Sequence, residues 1–393
     1  MMSFRKIFAS LFCVVLIAVS CVTWVPAMAV SDAVSPGDAS DSSSASEPAG
    51  ESNSVDESDS SDVSGVPDVE AKSAIILCGD TGEIIWEKNA DEKMEPASMT
   101  KLMTALLAVE NLKPDQEVEV TGEAAAMPET KIYLQTGEKI TVEELLYGLL
   151  LCSGNDAAVA VAEGVGGSVD KFVDRMNEKA KALGMTHSSF ANPNGLDDEK
   201  HYSTARDMAI LACAAVENET LVRIASTRQV TIGGRTMANH NKLLSYIDGC
   251  IGLKTGYTMA AGRTLVSCVK RNGQRLVAVT LQDGNDWADH QALYEYGFAT
   301  YPARRAAVLG QPLETAEVRG GAEDTVPLVA AESFAWPLAE GESLETAVEL
   351  DEPLTAPLSA GTRVGEAVFR LNGKEVGRVD LLCGAGVAPR LEP

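Results

Sequence analysis

Positive charge is scarce in this sequence. Among 393 residues, Lys and Arg number 32 against 57 Asp and Glu, which gives a formal net charge of -25 at pH 7. A chain this acidic is repelled by nucleic-acid backbones, so a nucleic-acid partner is excluded. The hydrophobic content of 45% is that of a globular protein, and the chain is long enough for two or more domains.

Basic residues are missing altogether from residues 30–70, which contain 11 acidic residues and many serines. Such a composition cannot bury enough apolar surface to offset the entropy lost on ordering. We therefore expect a disordered acidic linker over residues 30–68.

The residues before this linker have the pattern of a secretory signal. Arg5 and Lys6 precede an apolar run from 7 to 22, and Ala-Met-Ala at 27–29 offers a cleavage site. The pattern predicts export, with a signal peptide over residues 1–29. A second interpretation is an uncleaved membrane anchor, because the apolar run approaches the length that spans a bilayer.

Cysteine and histidine patterns typical of disulfide or metal frameworks are also missing. Six of the eight cysteines follow the N-terminal segment, all in apolar runs and without a Cys-x-x-Cys pair. We expect buried thiols rather than a disulfide scaffold. The four histidines are widely spaced and form no His-Glu-x-x-His motif, so the sequence argues against a zinc peptidase. We expect no metal ion and no cofactor.

Helical and strand patterns are mixed in the middle of the chain. Strands are predicted in a hairpin at 73–88 and as a pair at 263–270 and 275–282. Helices are predicted at 96–110, 141–151, 153–165, 169–183 and 286–298. The mixture predicts an α/β (α+β) sandwich of helices on an antiparallel sheet.

The composition and the residue pattern of the sequence change at Pro302. Proline and glycine recur after this residue, and short alternating runs predict a β-rich domain over 302–385 with a tail at 386–393. The preceding sandwich domain is therefore expected to span residues 69–301.

Ser98 and Lys101 are the first candidates for chemistry. Ser-x-x-Lys occurs four times, but the other three copies lie in the signal, on a charged helix and on a strand. Only this pair combines helical spacing with an apolar surround, where an ammonium needs partners or a lowered pKa. Taken alone, the pair is also compatible with an N-cap serine and a lysine that reaches solvent.

Two further motifs favour the chemical interpretation. Ser-Gly-Asn at 153–155 and Lys-Thr-Gly at 254–256 each occur once, after Ser98 and Lys101 in the chain. Serine acyl-enzymes that recognise penicillin need three motifs of these kinds in this order.

With these motifs, the chain resembles the low-molecular-mass penicillin-binding proteins, the serine-type D-alanyl-D-alanine carboxypeptidases of bacterial cell walls. The resemblance extends over residues 69–382 and is strongest in NADEKMEPASMTKLMTALLAVE, LLCSGNDAAVAVAE, NPNGLDDEKHYSTARDMAILA and DGCIGLKTGYTMAAGRTLVS. It implies a β-lactamase/transpeptidase-like sandwich followed by a small all-β domain.

Catalytic roles fit the residue types at three positions. Ser98 is the expected nucleophile, and Lys101 is the expected base because burial and a second cation, Lys254, would depress its pKa. By resemblance, Ser153 passes the proton to the leaving amine.

The resemblance also implies a set of substrate-binding residues. Asn155 would hold the substrate's peptide group, and Lys254 with Thr255 would face its terminal carboxylate. Gly256 would leave room for the extended substrate beside the strand. The backbone N–H of Tyr257 would complete an oxyanion hole with that of Ser98.

Two departures from the family stand out. Relatives often carry an arginine for the substrate carboxylate in the segment that here has no Lys or Arg between Arg275 and Arg304. Arg263 is a candidate substitute, which leaves carboxylate recognition open. Relatives also often end in an amphipathic membrane helix; none is apparent before Pro393. We therefore expect membrane association, if any, through the N-terminal segment.

The expected function is removal of the terminal D-alanine from peptidoglycan pentapeptides. Peptidoglycan stem peptides are the expected substrates, and β-lactam antibiotics are the expected covalent inhibitors. The enzyme is expected to be exported and to act in the cell wall or at the outer face of the cytoplasmic membrane. A D,D-transpeptidase or endopeptidase, a β-lactamase of the same fold and a non-catalytic wall-binding protein remain as alternatives.

Overall fold

The computed structural model describes residues 65–391. The predicted signal peptide and nearly all of the predicted acidic linker lie outside the described residues. The first described elements are β1 (Ser73–Cys78), β2 (Ile84–Lys88), α1 (Lys101–Asn111), β3 (Glu117–Glu119), α2 (Gly122–Ala125), β4 (Lys139–Thr141), α3 (Val142–Leu150), α4 (Asn155–Gly166), α5 (Val169–Leu183), α6 (Ala205–Val216) and α7 (Glu219–Ala225).

Strands predominate in the rest of the described chain. The elements are β5 (Gln229–Ile232), β6 (Arg235–Ala238), α8 (Leu243–Tyr246), β7 (Cys250–Thr258), β8 (Gly262–Arg271), β9 (Gln274–Leu281), α9 (Asp286–Thr300), β10 (Ala303–Ala307), β11 (Pro312–Glu317), β12 (Thr325–Ala330), β13 (Phe334–Pro337), β14 (Glu345–Leu350), β15 (Arg363–Leu371) and β16 (Lys374–Cys383).

A five-stranded antiparallel sheet organises the first part of the molecule. Its strand order is β2-β1-β9-β8-β7, so the last three strands form a meander next to the N-terminal hairpin. The hairpin and the β8–β9 pair that the sequence predicts are both confirmed. Because β7 is the edge strand of this sheet, one side of β7 has no strand partner within residues 65–391.

Helices cover both faces of this sheet. Ile75 and Leu77 of β1 point into a core shared with α1, α3, α4 and α6, whereas Ile76 points into a second core that α9 closes with Leu293 and Tyr294. Burial on both faces explains why β1 is an unbroken apolar run rather than an alternating one. The predicted sandwich of helices on an antiparallel sheet is confirmed.

The helix predicted at 96–110 differs from the structure in its first turn. Residues Ala97–Thr100 form a 3₁₀ turn, and the α-helix begins only at Lys101. Ala97 has a φ of +48°, outside the helical region, so the chain enters the helix through a tight turn instead of a regular one. Ser98 consequently lies on the 3₁₀ turn and Lys101 at the start of α1.

The strands after Pro302 form their own core, as the sequence predicts. β11, β12, β16, β15 and β14 make a second antiparallel sheet in that order, and β10 pairs with β13. Phe369 and Leu381 are fully buried there, and the Phe334 and Phe369 rings stack with centroids 4.7 Å apart. Gln274 links the two parts by donating to Tyr301 O and accepting from the Ala303 N–H.

All six cysteines within residues 65–391 are free thiols, and three of them are buried. The expectation of buried thiols agrees with the structure for these three, whereas Cys152, Cys213 and Cys250 are only partly covered. No helix within residues 65–391 has the combined length and apolar character that crossing a bilayer requires.

Helix α3 provides a test of how local sequence stabilises the fold. Thr141 Oγ1 accepts from the Glu144 N–H while the Glu144 carboxylate accepts from the Thr141 N–H, as the capping-box pattern predicts. We expect Thr141→Ala to reduce the free energy of unfolding by about 1 kcal/mol. Thr141→Ser keeps the hydroxyl and is the control. Equal urea-denaturation midpoints for the two variants would contradict the assignment.

Candidate active site

A cavity of about 400 Å³ lies where the turn before α1, the start of α4 and the edge strand β7 meet. It brings together residues that are far apart in the sequence. Those lining it are Ser98, Thr130, Ser153, His240, Thr255, Gly256, Tyr257, Arg263, Asp286 and Trp287. Lys101 and Lys254 lie behind this surface, 0% and 1% exposed.

The Lys101 side chain is surrounded by oxygen atoms. Its Nζ is 2.9 Å from Ser98 Oγ, 2.7 Å from Asn155 Oδ1 and 2.6 Å from Asn194 O. The Ser98–Lys101 contact that the spacing predicts is thus present. Full burial also excludes the alternative in which the lysine reaches solvent.

Burial has a large effect on the charge of this amine. It is the largest influence that lowers the pKa of Lys101 well below its ordinary value of 10.5, and the positive charge of Lys254 lowers that pKa further. Glu129 and Asp156 act in the opposite direction but do not cancel the shift. A neutral amine is therefore accessible without strongly alkaline conditions.

The three oxygen neighbours of Lys101 can accept from an ammonium, and they also accommodate a neutral amine. Asn155 Oδ1 and Asn194 O can only accept, so they take the two N–H groups that a neutral amine has. In the neutral form, the lone pair is left for the third neighbour, Ser98 Oγ, which can then donate its own hydrogen over the 2.9 Å that separates the two atoms. This arrangement can remove a proton from Ser98.

The Ser-Gly-Asn motif forms the entry to α4. Ser153 has a φ of +62° and is 8% exposed, and Gly154 is the N-cap residue. The Asn155 amide bonds to protein groups at both ends, because Oδ1 accepts from Lys101 and Nδ2 donates to Pro128 O. One Nδ2 hydrogen remains for a further acceptor.

The Lys-Thr-Gly motif lies on β7. Lys254 Nζ donates to Thr255 O at 2.7 Å, and burial lowers the pKa of Lys254 to about 7. The structure gives a reason for glycine at position 256 that the sequence analysis did not identify. A Cβ there would lie 2.3 Å from Thr264 Oγ1 and 3.0 Å from Ser98 N, so glycine lets β7 approach the backbone of Ser98.

The sequence and the structure of this chain match known families. A family described as D-alanyl-D-alanine carboxypeptidase matches residues 60–285, more than half of the chain, and the C-terminal domain of penicillin-binding protein 5 matches residues 304–388.

The chain belongs to the D-alanyl-D-alanine carboxypeptidase family.

Named relatives support this membership. D-alanyl-D-alanine carboxypeptidase DacF of Bacillus subtilis is 34% identical over 323 residues, which are 78% of this chain and 82% of the relative. The DacC enzyme of Escherichia coli is 33% identical over 329 residues, 79% of this chain and 82% of the relative.

Solved structures show the same fold. Penicillin-binding protein 5 of Haemophilus influenzae has a TM-score of 0.60 and 28% identity, covering 82% of this chain and 99% of its own. A mutant of the Streptomyces K15 DD-transpeptidase has a TM-score of 0.57 and 31% identity, covering 60% of this chain and 100% of its own.

The sequence analysis did not identify a backbone carbonyl that contacts Lys101. The carbonyl of Asn194 accepts from Lys101, and the next residue, Gly195, has a φ of +84°. A Cβ on Gly195 would lie 1.9 Å from Ala97 O. The signal was the Asn-Gly pair at 194–195, which favours a left-handed turn, but the sequence could not show which residue this turn approaches.

His201 supports the same region from behind. Its Nδ1 accepts from the Ala191 N–H, so its Nε2–H can donate to Thr100 Oγ1 at 2.7 Å. Burial lowers the pKa of His201 to about 4, which keeps the imidazole neutral near pH 7. The residue is a structural link between the 191–201 loop and the turn that precedes α1.

The lowered pKa of Lys101 can be measured directly. In protein with ¹³C-labelled lysine side chains, we expect the Lys101 signal to titrate well below pH 10.5, because burial disfavours its charged form. Lys254→Met should move that titration upward, because it removes a neighbouring positive charge. Lys374→Met, on the exposed side of the second sheet, is the control. A Lys101 titration at its ordinary value would contradict the interpretation.

Proposed function

We propose that this chain removes the terminal D-alanine from peptidoglycan pentapeptides through an acyl-enzyme on Ser98. The observation that carries the proposal is the buried Lys101 amine, which lies 2.9 Å from Ser98 Oγ and in its neutral form has a lone pair for that hydroxyl. Names of the relatives support the reaction class, since they are D-alanyl-D-alanine carboxypeptidases.

The reaction would start with proton transfer. Ser98 Oγ attacks the carbonyl carbon of the penultimate D-alanine while its hydrogen moves to Lys101 Nζ. The negative charge that develops on the carbonyl oxygen is stabilised by the backbone N–H groups of Ser98 and Tyr257. Ser153 Oγ, at the cavity surface, gives its hydrogen to the departing D-alanine amine and takes the proton held by Lys101 Nζ, so that a serine ester, a free amine and a neutral Lys101 remain.

Water completes the reaction. With the amine again neutral, Lys101 accepts a proton from water as that water attacks the ester carbonyl. The C–O bond to Ser98 then breaks, and Lys101 returns this proton to Ser98 Oγ, which restores the hydroxyl and the neutral amine. Transfer to an amine in place of water would give a cross-linked product from the same intermediate. Carboxypeptidase names among the sequence relatives favour hydrolysis over this transpeptidase alternative.

Substrate binding would use the edge of β7 that has no strand partner within residues 65–391. An extended peptide that pairs with this strand gains backbone hydrogen bonds and places its carbonyl beside Ser98. Asn155 keeps one Nδ2 hydrogen for the substrate's peptide group, and Thr255 supplies a hydroxyl at the cavity surface. Gly256 keeps β7 close enough to Ser98 for this geometry.

Two variants test the chemistry. Penicillin should form an adduct on the peptide that carries Ser98, seen by mass spectrometry, and Ser98→Ala should lose it. Lys101→Arg keeps the charge but cannot give a neutral amine, so we expect the acylation rate to fall about 10²- to 10⁴-fold.

Release of D-alanine measured beside cross-linked product separates hydrolysis from transfer. An adduct on any other peptide, or an Arg variant as fast as the parent, would overturn the site assignment. Rapid loss of the penicillin label would instead indicate a β-lactamase.

We further propose that residues 1–29 direct export and that Pro302 divides two domains, 69–301 and 302–385. The family acts on the cell wall, which an exported enzyme reaches. Fractionation with N-terminal sequencing tests the first point. Mature protein that starts at Val30 is the expected result for a cleaved signal, whereas full-length protein in membranes would indicate an anchor.

A further inference from the structure

Asp156 is a buried carboxylate that pairs with no Lys, Arg or His side chain among residues 65–391. It follows Asn155 in the first turn of α4 and is 0% exposed. Its hydrogen-bond donors are all backbone N–H groups. Both oxygens accept from Ile132 at 3.0 Å, Oδ2 accepts from Leu134 at 3.1 Å, and Oδ1 accepts from Ala157 at 2.9 Å. This set of donors fits an ionised carboxylate, which can only accept.

These contacts go beyond the stabilisation of a helix terminus. An acidic residue in the first turn is expected to interact with the N–H groups of its own helix, as Asp156 does with Ala157. The other two donors, Ile132 and Leu134, instead lie 24 and 22 residues earlier in the chain. Asp156 therefore also attaches the loop at residues 128–134 to the start of α4.

Tyr133 lies between the two donors of this loop and has a strained backbone. Its φ is +61° and it is 72% exposed. This left-handed conformation is unfavourable for a residue with a Cβ and persists only where the surroundings enforce it. A ring so exposed contributes little packing, so backbone contacts must enforce the conformation. Asp156 provides the buried contacts, one on each side of Tyr133.

The loop in turn orients the Asn155 side chain. The Asn155 N–H donates to Thr130 O at 2.7 Å, and Nδ2 donates to Pro128 O at 3.0 Å. Oδ1 is thereby directed to Lys101 Nζ, 2.7 Å away. An amide turned by 180° would place its oxygen against the Pro128 carbonyl and its NH₂ group against Lys101. The position of the loop therefore selects the orientation in which Asn155 accepts from Lys101.

Asp156 also places a buried negative charge near Lys101. Burial and the positive charge of Lys254 on β7 lower the pKa of Lys101. Glu129 on the loop and Asp156 on α4 raise that pKa. His201, on the 191–201 loop, is neutral near pH 7. Solvent screens the exposed Glu129 but does not reach Asp156.

We propose that Asp156 is a positioning residue of this site. Its carboxylate holds the 128–134 loop in place, and the loop keeps Asn155 Oδ1 on Lys101. The inference rests on the proposed function, in which Lys101 takes the proton of Ser98. Asp156 acts through these other groups and does not touch the substrate. Its charge has a second effect, because a nearby anion favours the protonated form of the amine.

The rate of Ser98 acylation at saturating penicillin, measured across pH, separates position from charge. The plateau rate reports how well the reacting groups are placed, and the midpoint of the rise with pH reports deprotonation of Lys101. Asp156→Asn removes the charge and puts an NH₂ group where an oxygen accepted. We expect its plateau rate to fall about 10- to 100-fold and its midpoint to move to lower pH.

Asp156→Glu keeps the charge but lengthens the side chain. Its plateau rate should also fall about 10- to 100-fold, whereas its midpoint should stay near that of the parent enzyme. Tyr133→Gly tests the backbone strain, because glycine adopts a positive φ without a steric cost. Added to Asp156→Asn, it should restore part of the plateau rate and leave the midpoint low.

Two single variants are the controls. Glu129→Gln removes a charge from the exposed side of the loop, so it should lower the midpoint and keep the plateau rate. Arg235→Gln removes the hydrogen bond from Arg235 Nε to Ile132 O, which holds the same loop from its other side. It should keep the midpoint and lower the plateau rate less than Asp156→Asn does. Melting temperatures show whether each variant is folded.

The outcomes distinguish this inference from the proposed function. The inference is wrong if Asp156→Glu is acylated as fast as the parent enzyme, if Asp156→Asn leaves the midpoint unchanged or raises it, or if Tyr133→Gly restores nothing. Should Asp156→Asn fail to fold alone, Asp156→Glu and the double variant with Tyr133→Gly decide the question. If penicillin does not acylate Ser98 in the unaltered enzyme, the proposed function itself fails.

Discussion

The proposed chemistry of this molecule depends on the burial of one amine. Lys101 lies at the start of α1 with no exposed surface, and desolvation removes much of the advantage of its charged form. Two carbonyl-type oxygens accept from its N–H groups, so in the neutral form its lone pair points towards Ser98. The same packing therefore sets both the contacts of Lys101 Nζ and the pKa of this amine, and the proposed proton transfer needs both.

Four strained or crowded backbone positions hold this packing in place. Ala97 and Ser153 have positive φ values, which are costly for residues with a Cβ and persist only where the surroundings enforce them. Gly195 brings the 191–201 loop against Ala97, and Gly256 brings β7 against Ser98. These contacts place Ser98, the proposed nucleophile, on a tight turn that a loop and an edge strand enclose.

Local signals in the sequence predicted much of the fold. The hairpin, the β8–β9 pair, the capped helix at Thr141 and the β-rich part after Pro302 depend on periodicity, turn residues and caps, which act over a few neighbours. The three motifs also predicted which side chains meet at the site, because their chemistry constrains residue type. The first turn of the Ser98 helix was predicted less well, since its 3₁₀ form depends on a loop 98 residues away at Gly195.

By itself, the sequence determined the elements, their amphipathic faces and the identity of Ser98, Lys101 and the two later motifs. Only the tertiary structure decided that the Asn194 carbonyl completes the Lys101 site, that Gly256 serves the approach to Ser98, and that Asp286 pairs with Arg263. These contacts join segments that are distant along the chain. Their distances and burial follow from how the whole core packs, which no local pattern records.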